Sequence, residues 1–231
     1  MTILDAVLAF AVVAGLLTLV PGLDTALVLR SSLTRTRSYA WATALGVATG
    51  AMVWGVAAAV GVSALLTASE AAYRVLTVAG AGYMLWLGAS MIWKSFRESA
   101  GHAAVDARTP EAGASPWQGW LMGAGTNLLN PKVGVFYIAT IPQFLPAGIS
   151  PLLMGAVLAG VHCVLSLIWF TGLIFGGGYA RRWLADPRSL TMIDRVTGLV
   201  LLVFGGKLIA DAVPAGPSAS GVAAVTPRVR I

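Results

Sequence analysis

Apolar residues fall into six long runs separated by short polar breaks. The runs cover about 3–29, 40–66, 72–93, 118–141, 152–177 and 191–210. Each approaches the roughly 20 mostly apolar residues that a helix needs to cross a bilayer. The pattern predicts an all-α integral membrane protein with six transmembrane helices. Two runs are interrupted, the first by Pro21-Gly22-Leu23-Asp24 and the fourth by Asn130-Pro131-Lys132. The longest polar stretch, Lys94 to Pro116, divides the chain. It gives a first three-helix unit over 1–93, a loop over 94–117 and a second three-helix unit over 118–212. The tail over 213–231, rich in Pro, Gly, Ala and Ser from Pro214, is expected to be disordered.

Composition agrees with a membrane protein. Hydrophobic types make up 58% of the chain and charged types 10%, against about 25% charged in soluble domains. The net charge of +6 does not point to nucleic acid, because the basic residues sit in short loops and form no dense stripe. Arg30, Arg35 and Arg37 follow run one. Lys94, Arg97 and Arg108 follow run three. Arg181, Arg182 and Arg188 follow run five. Run two is followed only by Arg74, and the turn after run four, Pro142 to Pro151, has no basic residue. The positive-inside rule puts the odd-numbered loops in the cytoplasm and both termini outside. Trp41, Trp93, Trp117, Trp120 and Trp183 fall near the same ends, where an aromatic belt belongs. The start, Met1 to Asp5, has no Lys or Arg, so the first run reads as a retained helix rather than a signal peptide.

Three helices per unit mean that the second unit enters the membrane from the opposite side. Pro21 aligns with Pro131 at an offset of 110, and Gly50 with Gly160 at the same offset. Gly80 and Gly88 are spaced like Gly198 and Gly206. Together these suggest a 3+3 inverted repeat, the plan of many secondary transporters.

Candidate chemistry gathers at the two interruptions. Proline removes a backbone hydrogen bond and clashes with the preceding turn. Inside a bilayer, the freed groups must find partners or line a wet cavity. Pro21 with Gly22, and Pro131, can each start a second half-helix whose N–H groups and dipole favour a carboxylate. Asp24 and Lys132 add ionisable groups within apolar runs, at about 2.5–3.5 kcal/mol each on insertion scales. Asn127 and Asn130 flank the second break. Asp24 also reads as a plain helix-start carboxylate near Arg30, and Lys132 as a snorkelling side chain.

Other features carry less. Gly46-x3-Gly50, Gly119-x3-Gly123 and Gly172-x3-Gly176 fit close helix packing and leave homo-oligomer formation open. His162 stands beside Cys163, the one cysteine of the chain, but two histidines and one cysteine give few ligands, so no metal site is expected. Ser63 has no nearby base and no phosphate-binding glycine loop occurs, so neither an enzyme nor a cofactor is expected.

These same residues carry a family resemblance. Pro21-Gly22-Leu23-Asp24 resembles a Pro-Gly-Pro-Asp motif, and Ala44-Leu45-Gly46-x3-Gly50 a second-helix glycine pattern. Ala79-Gly80-Ala81-Gly82-Tyr83-Met84-Leu85-Trp86-Leu87-Gly88 is similar to a third helix. Asn127-Leu128-Leu129-Asn130-Pro131-Lys132, with Phe136 and Pro142-Gln143-Phe144 beyond, is similar to a fourth. The family is the LysE/RhtB group of amino-acid exporters, and the resemblance covers nearly all of residues 1–210. Leu23 stands where the family pattern has its second proline, which leaves site shape and substrate undetermined. The resemblance implies a multi-pass protein of the bacterial inner membrane. It would export an amino acid or close derivative by antiport driven by an ion gradient, with protons as the coupling ion. In that scheme the half-helix starts and Lys132 receive the substrate carboxylate. Asp24 takes the ammonium or a coupling proton, and Asn127 and Asn130 supply hydrogen bonds. The rival readings are a non-transporting membrane scaffold and an exporter of another small solute.

Overall fold

The computed structural model describes residues 2–97 and 115–212. The expected tail and most of the long loop lie outside the described residues. Among these residues there are eight α-helices, one 3-10 turn and no strand. The helices are α1 (Ile3–Leu19), α2 (Leu23–Thr34), α3 (Arg37–Ala68), α4 (Glu70–Arg97), α5 (Pro116–Leu128), α6 (Pro131–Thr140), α7 (Pro151–Ala185) and α8 (Pro187–Ala212).

The interrupted first run is α1 and α2, bent by 56° at the break. The interrupted fourth run is α5 and α6. Each uninterrupted run is a single helix. Polar residues set the starts. Ser115 caps α5 in a reciprocal box with Gln118 ahead of Pro116, and Ser150 caps α7 ahead of Pro151. Both are N-terminal signatures with proline at the first helical position, where its missing N–H costs nothing. α7 carries a kink at Gly177, with φ 39°. Residues with a Cβ rarely adopt that conformation. The kink separates the apolar body of α7 from its basic end.

By length and composition, α3, α4 and the Pro151–Ala180 part of α7 can each cross a membrane, and the bent α1–α2 pair can serve as a fourth span. The other two runs are not among these spans. α5 and α6 have 13 and 10 residues, too few for either to cross alone. α8 carries Arg188, Asp194 and Arg195 toward its start and Lys207 toward its end.

The packing joins helices from both sides of the long loop. α3 lies most closely along α5, α4 along α8, and α3 across α7, while α7 also covers α1 and α2. Small residues let backbones meet. A Cβ on Gly46 would collide with the Trp120 carbonyl of α5, and one on Gly123 with the Thr43 carbonyl of α3. Gly88 of α4 and Gly198 of α8 face each other reciprocally: a Cβ on either would lie 2.6 or 2.7 Å from the other's carbonyl oxygen. Lipid gives helices no hydrophobic reason to associate, so close van der Waals approach of this kind must hold them. Inside, Phe10, Phe136, Tyr137 and Phe144 are buried. The Phe10 ring meets that of Phe144 edge-on at 5.4 Å, and Phe144 stacks on Phe204 at 5.1 Å. Outside, large apolar side chains such as Leu8, Val75, Ile168 and Val203 are exposed. That inversion suits a surface solvated by lipid.

Candidate functional site

The two breaks open their second half-helices differently. At the first, Val20 and Gly22 are extended, Pro21 has no N–H to offer, and α2 begins at Leu23. Asp24 is therefore its second residue. At the second, Asn130 is extended and α6 begins at Pro131, so Lys132 is its second residue. The Asn130 Oδ1 accepts from the Lys132 backbone N at 3.1 Å, satisfying one of the donors that a helix start leaves over. An acid and a base thus each stand second in their half-helix.

The fold then brings the breaks together. Asn127 Nδ2 donates to Asp24 Oδ2 at 2.9 Å, and Asn130 Nδ2 donates to the same oxygen at 3.3 Å. Asn127 and Asn130 are both buried. Asp24 Oδ1 is buried and has no hydrogen-bond partner among the described residues. Asn127 Oδ1 is in the same condition, because it faces Gly50 of α3, where a Cβ would come within 2.7 Å of it. Gly50 is what gives Asn127 room to reach Asp24.

These groups border a cavity of about 60 Å³. A single water needs roughly 10–15 Å³ by this measure, so the space suits a few waters or the polar end of a small solute. The α1–α2 break contributes Leu17, Thr18, Val20, Gly22, Asp24 and Thr25 to its wall. The α5–α6 break contributes Asn127, Asn130, Lys132 and Val133. α3 adds Val47 and Ala51, and α7 adds His162, Ser166 and Phe170. The last three recur every four residues, which places them on one face of a helix. Both Asp24 and Asp194 of α8 lie close enough to Lys132 to act on its charge. The wall is thus apolar apart from one acid, one base, two amides, an imidazole and three hydroxyls.

All seven residues expected from the sequence occur at the two breaks, and Gly22, Asp24, Asn127, Asn130 and Lys132 border the cavity. His162 is the main residue that sequence reasoning missed. It does not pair with Cys163, whose Sγ donates to the Ala48 carbonyl at 3.2 Å. Instead its Nδ1 meets the buried Tyr137 hydroxyl at 2.8 Å. If the phenol donates, the N–H lies on Nε2; the opposite arrangement would leave a buried hydroxyl hydrogen unpaired, at about 1–3 kcal/mol. The four-residue spacing of His162, Ser166 and Phe170 was the available signal. Asp194 was also open to notice, as an acid inside the sixth apolar run.

Helices of membrane-crossing length, an apolar exterior and two interrupted runs joined at a buried acid–amide cluster define an integral membrane protein with the plan of a transporter. A family profile described as LysE type translocator matches residues 15–212, and the chain belongs to that family. It is 29% identical to a leucine efflux protein of Enterobacter sp. (strain 638), over 85% of this chain and 90% of the relative. It is 28% identical to a homoserine/homoserine lactone efflux protein of Salmonella typhi, over 87% and 94% respectively. It is also 27% identical to an uncharacterized membrane protein, YrhP, of Bacillus subtilis (strain 168), over 88% and 98%. No solved structure matches the chain.

Proposed function

We propose that this chain is a secondary transporter that exports amino acids or close derivatives across the bacterial inner membrane by antiport with protons. One observation carries the reading. Asp24, from the break in the first half, is gripped through one carboxylate oxygen by two amides from the break in the second half. Its other oxygen has no partner among the described residues. Fixing two breaks to each other around an acid has no evident packing benefit, because a buried charge costs more than an apolar contact. It suits an acid that must meet a cationic group. The efflux names of the relatives support the direction and the solute class.

In this mechanism Asp24 Oδ1 receives the substrate ammonium, or a proton in its place, so that the two compete for one site. Lys132 and the N–H groups at the start of α6 attract the carboxylate. Asn127 and Asn130 hold Asp24 in register with the second half, and His162 presents its Nε2–H from α7. A cavity with one acid and one base matches a zwitterion. The halves would rock about the cavity to expose it on either side in turn.

The six-span topology with an inverted repeat belongs to the same proposal. α1–α2 and α5–α6 would be the broken spans, and α3, α4, α7 and α8 the continuous ones, with both termini periplasmic. The reciprocal approach of Gly88 in α4 and Gly198 in α8 supports it, since a two-fold axis between those helices is compatible with such a contact. Cysteine labels after residues 35, 100 and 185 should all report cytoplasm. A periplasmic label at 100 overturns the topology.

Against a scaffold, the Gly46 and Gly119–Gly123 faces are consumed in packing α3 on α5 within one chain. The test is efflux from cells fed dipeptides, measuring each amino acid outside with and without the protein. Lys132→Ala should cut that efflux about tenfold or more, the loss expected for a charge-assisted hydrogen bond, at normal membrane abundance. Unchanged efflux would make Lys132 a snorkelling residue.

A further inference from the structure

Where the end of α4 packs against the start of α8, a second and larger groove opens, of about 440 Å³. Ser95, Arg188, Thr191, Met192, Arg195 and Val196 line it. Its charged groups are two guanidiniums, and no carboxylate is among the lining residues. Arg195 is fixed in place. Its Nε donates to Ser95 Oγ at 3.2 Å, and the guanidinium lies 4.3 Å from the centre of the Phe96 ring. Of the acids nearest in sequence, Asp194 acts on Lys132 of the central cavity. Asp186 feels the Arg188 charge but is held mainly by hydrogen bonds. It accepts from the Arg188 backbone N, and from the backbone N and hydroxyl of Ser189. These bonds, led by that from the Arg188 N, hold its carboxyl below the ordinary range.

The apolar surroundings decide what kind of anion fits. Met192, Val196, Leu199 and Val203 are all exposed and follow one another along a single face of α8. This stripe starts inside the groove and runs away from it toward the middle of the helix. Across the groove, Trp93 and Phe96 of α4 are exposed too, with the Arg97 guanidinium 4.2 Å from the Trp93 ring centre. A soluble phosphate would use the guanidiniums and leave the stripe bare. An acidic peptide would not extend into the bilayer beside α8. A molecule with a phosphate at one end and a chain at the other uses both. Basic pockets between transmembrane helices hold anionic headgroups in this manner, and arginine's planar fork suits phosphate oxygens.

We propose that this groove binds an anionic phospholipid, its phosphate between Arg188 and Arg195 and one acyl chain along Met192, Val196, Leu199 and Val203. The inference requires only that the chain sits in a membrane and does not depend on what it transports.

The full-length protein, purified in a neutral detergent, would be titrated with phosphatidylglycerol or with phosphatidylcholine, and retained lipid counted by native mass spectrometry. The wild type should keep one phosphatidylglycerol under conditions that strip phosphatidylcholine. The double variant Arg188→Gln/Arg195→Gln should lower that retention by roughly tenfold or more, as expected when two cations near a lipid headgroup are removed. Arg188→Gln alone, at an exposed side chain whose loss should not affect folding, should give a clear partial loss. Lys94→Gln, an exposed cation outside the groove, should change nothing. Equal loss in Lys94→Gln would mean diffuse surface attraction and overturn the site. So would full retention in the double variant. Displacement of the lipid by millimolar inorganic phosphate would reassign the groove to a soluble phosphate and overturn the lipid proposal.

Discussion

Asp24→Asn should insert and fold normally and lose most concentrative efflux. Asn has nearly the shape of Asp, and the two are comparable at helix starts. In the variant, the amide oxygen can take the place of Asp24 Oδ2 and still accept from Asn127 and Asn130, which sit 2.9 and 3.3 Å away. The contact between the two broken helices therefore survives. What changes is the other side of the group. The oxygen that has no partner among the described residues of the parent becomes an NH₂, a donor facing the cavity. A donor repels an ammonium, cannot take up a proton and carries no charge. A hydrogen bond to a charged group is worth about 1.5–3 kcal/mol, so substrate affinity should fall roughly ten- to hundredfold. Coupling should vanish outright, because nothing is left to titrate at that position. The measurement is efflux against a gradient from proteoliposomes, with and without an imposed pH difference. A variant that pumps at the parent rate would leave Asp24 a structural residue and remove the core of the proposed mechanism.

The breaks were legible in the sequence because proline has a fixed local consequence. Pro21 and Pro131 lack an N–H wherever they stand; Pro21 precedes α2 by two residues, Pro131 opens α6, and each half-helix has an ionisable residue in second place. That the breaks touch could be suspected only from the offset of 110. The bonds themselves join residues 103 and 106 positions apart, and no local pattern encodes them. His162 was hidden for a related reason. In sequence its neighbour is Cys163, which invites thoughts of a metal, but adjacent residues on a helix point about 100° apart. Its real partner, Tyr137, comes from another helix. Charge hid the extent of α8. The sixth apolar run begins near 191, yet the helix begins at Pro187, because Asp186 caps it and the backbone continues regardless of polarity. Likewise, the stretch after run four reads as a surface turn but starts with the 3-10 turn Ile141–Phe144. Its Phe144 is wholly buried between Phe10 and Phe204.

The largest effect on stability should come from Gly123→Ala. A methyl group at this position would collide with the Thr43 carbonyl and lie 2.9 Å from the Val47 amide nitrogen. Both are backbone atoms of α3, so no side chain can swing aside, and α5 itself must move. Gly119, one turn earlier, has the Tyr39 carbonyl 2.7 Å from its own Cβ position, so the contact continues along the helix and cannot hinge away locally. Overpacking of a well-packed interior costs about 1–3 kcal/mol, occasionally more, and a backbone-to-backbone clash belongs at the upper end. For a chain of this size that corresponds to a fall of roughly 5–10 °C in the unfolding midpoint. The site should suffer as well. Asn127 lies one turn beyond Gly123 and is seated against Gly50 of α3, so any separation of α5 from α3 draws its amide away from Asp24. Gly125→Ala supplies the control on the same helix, because nothing lies within 4 Å of a Cβ there. That change should be neutral or gain about 0.5–1 kcal/mol from better helix propensity. Thermal unfolding of the two purified variants in detergent, followed by efflux in proteoliposomes, tests both halves of the argument. Equal midpoints for Gly123→Ala and Gly125→Ala would mean that α3 and α5 are not held in backbone contact. The geometry that carries Asn127 to Asp24 would then lose its support.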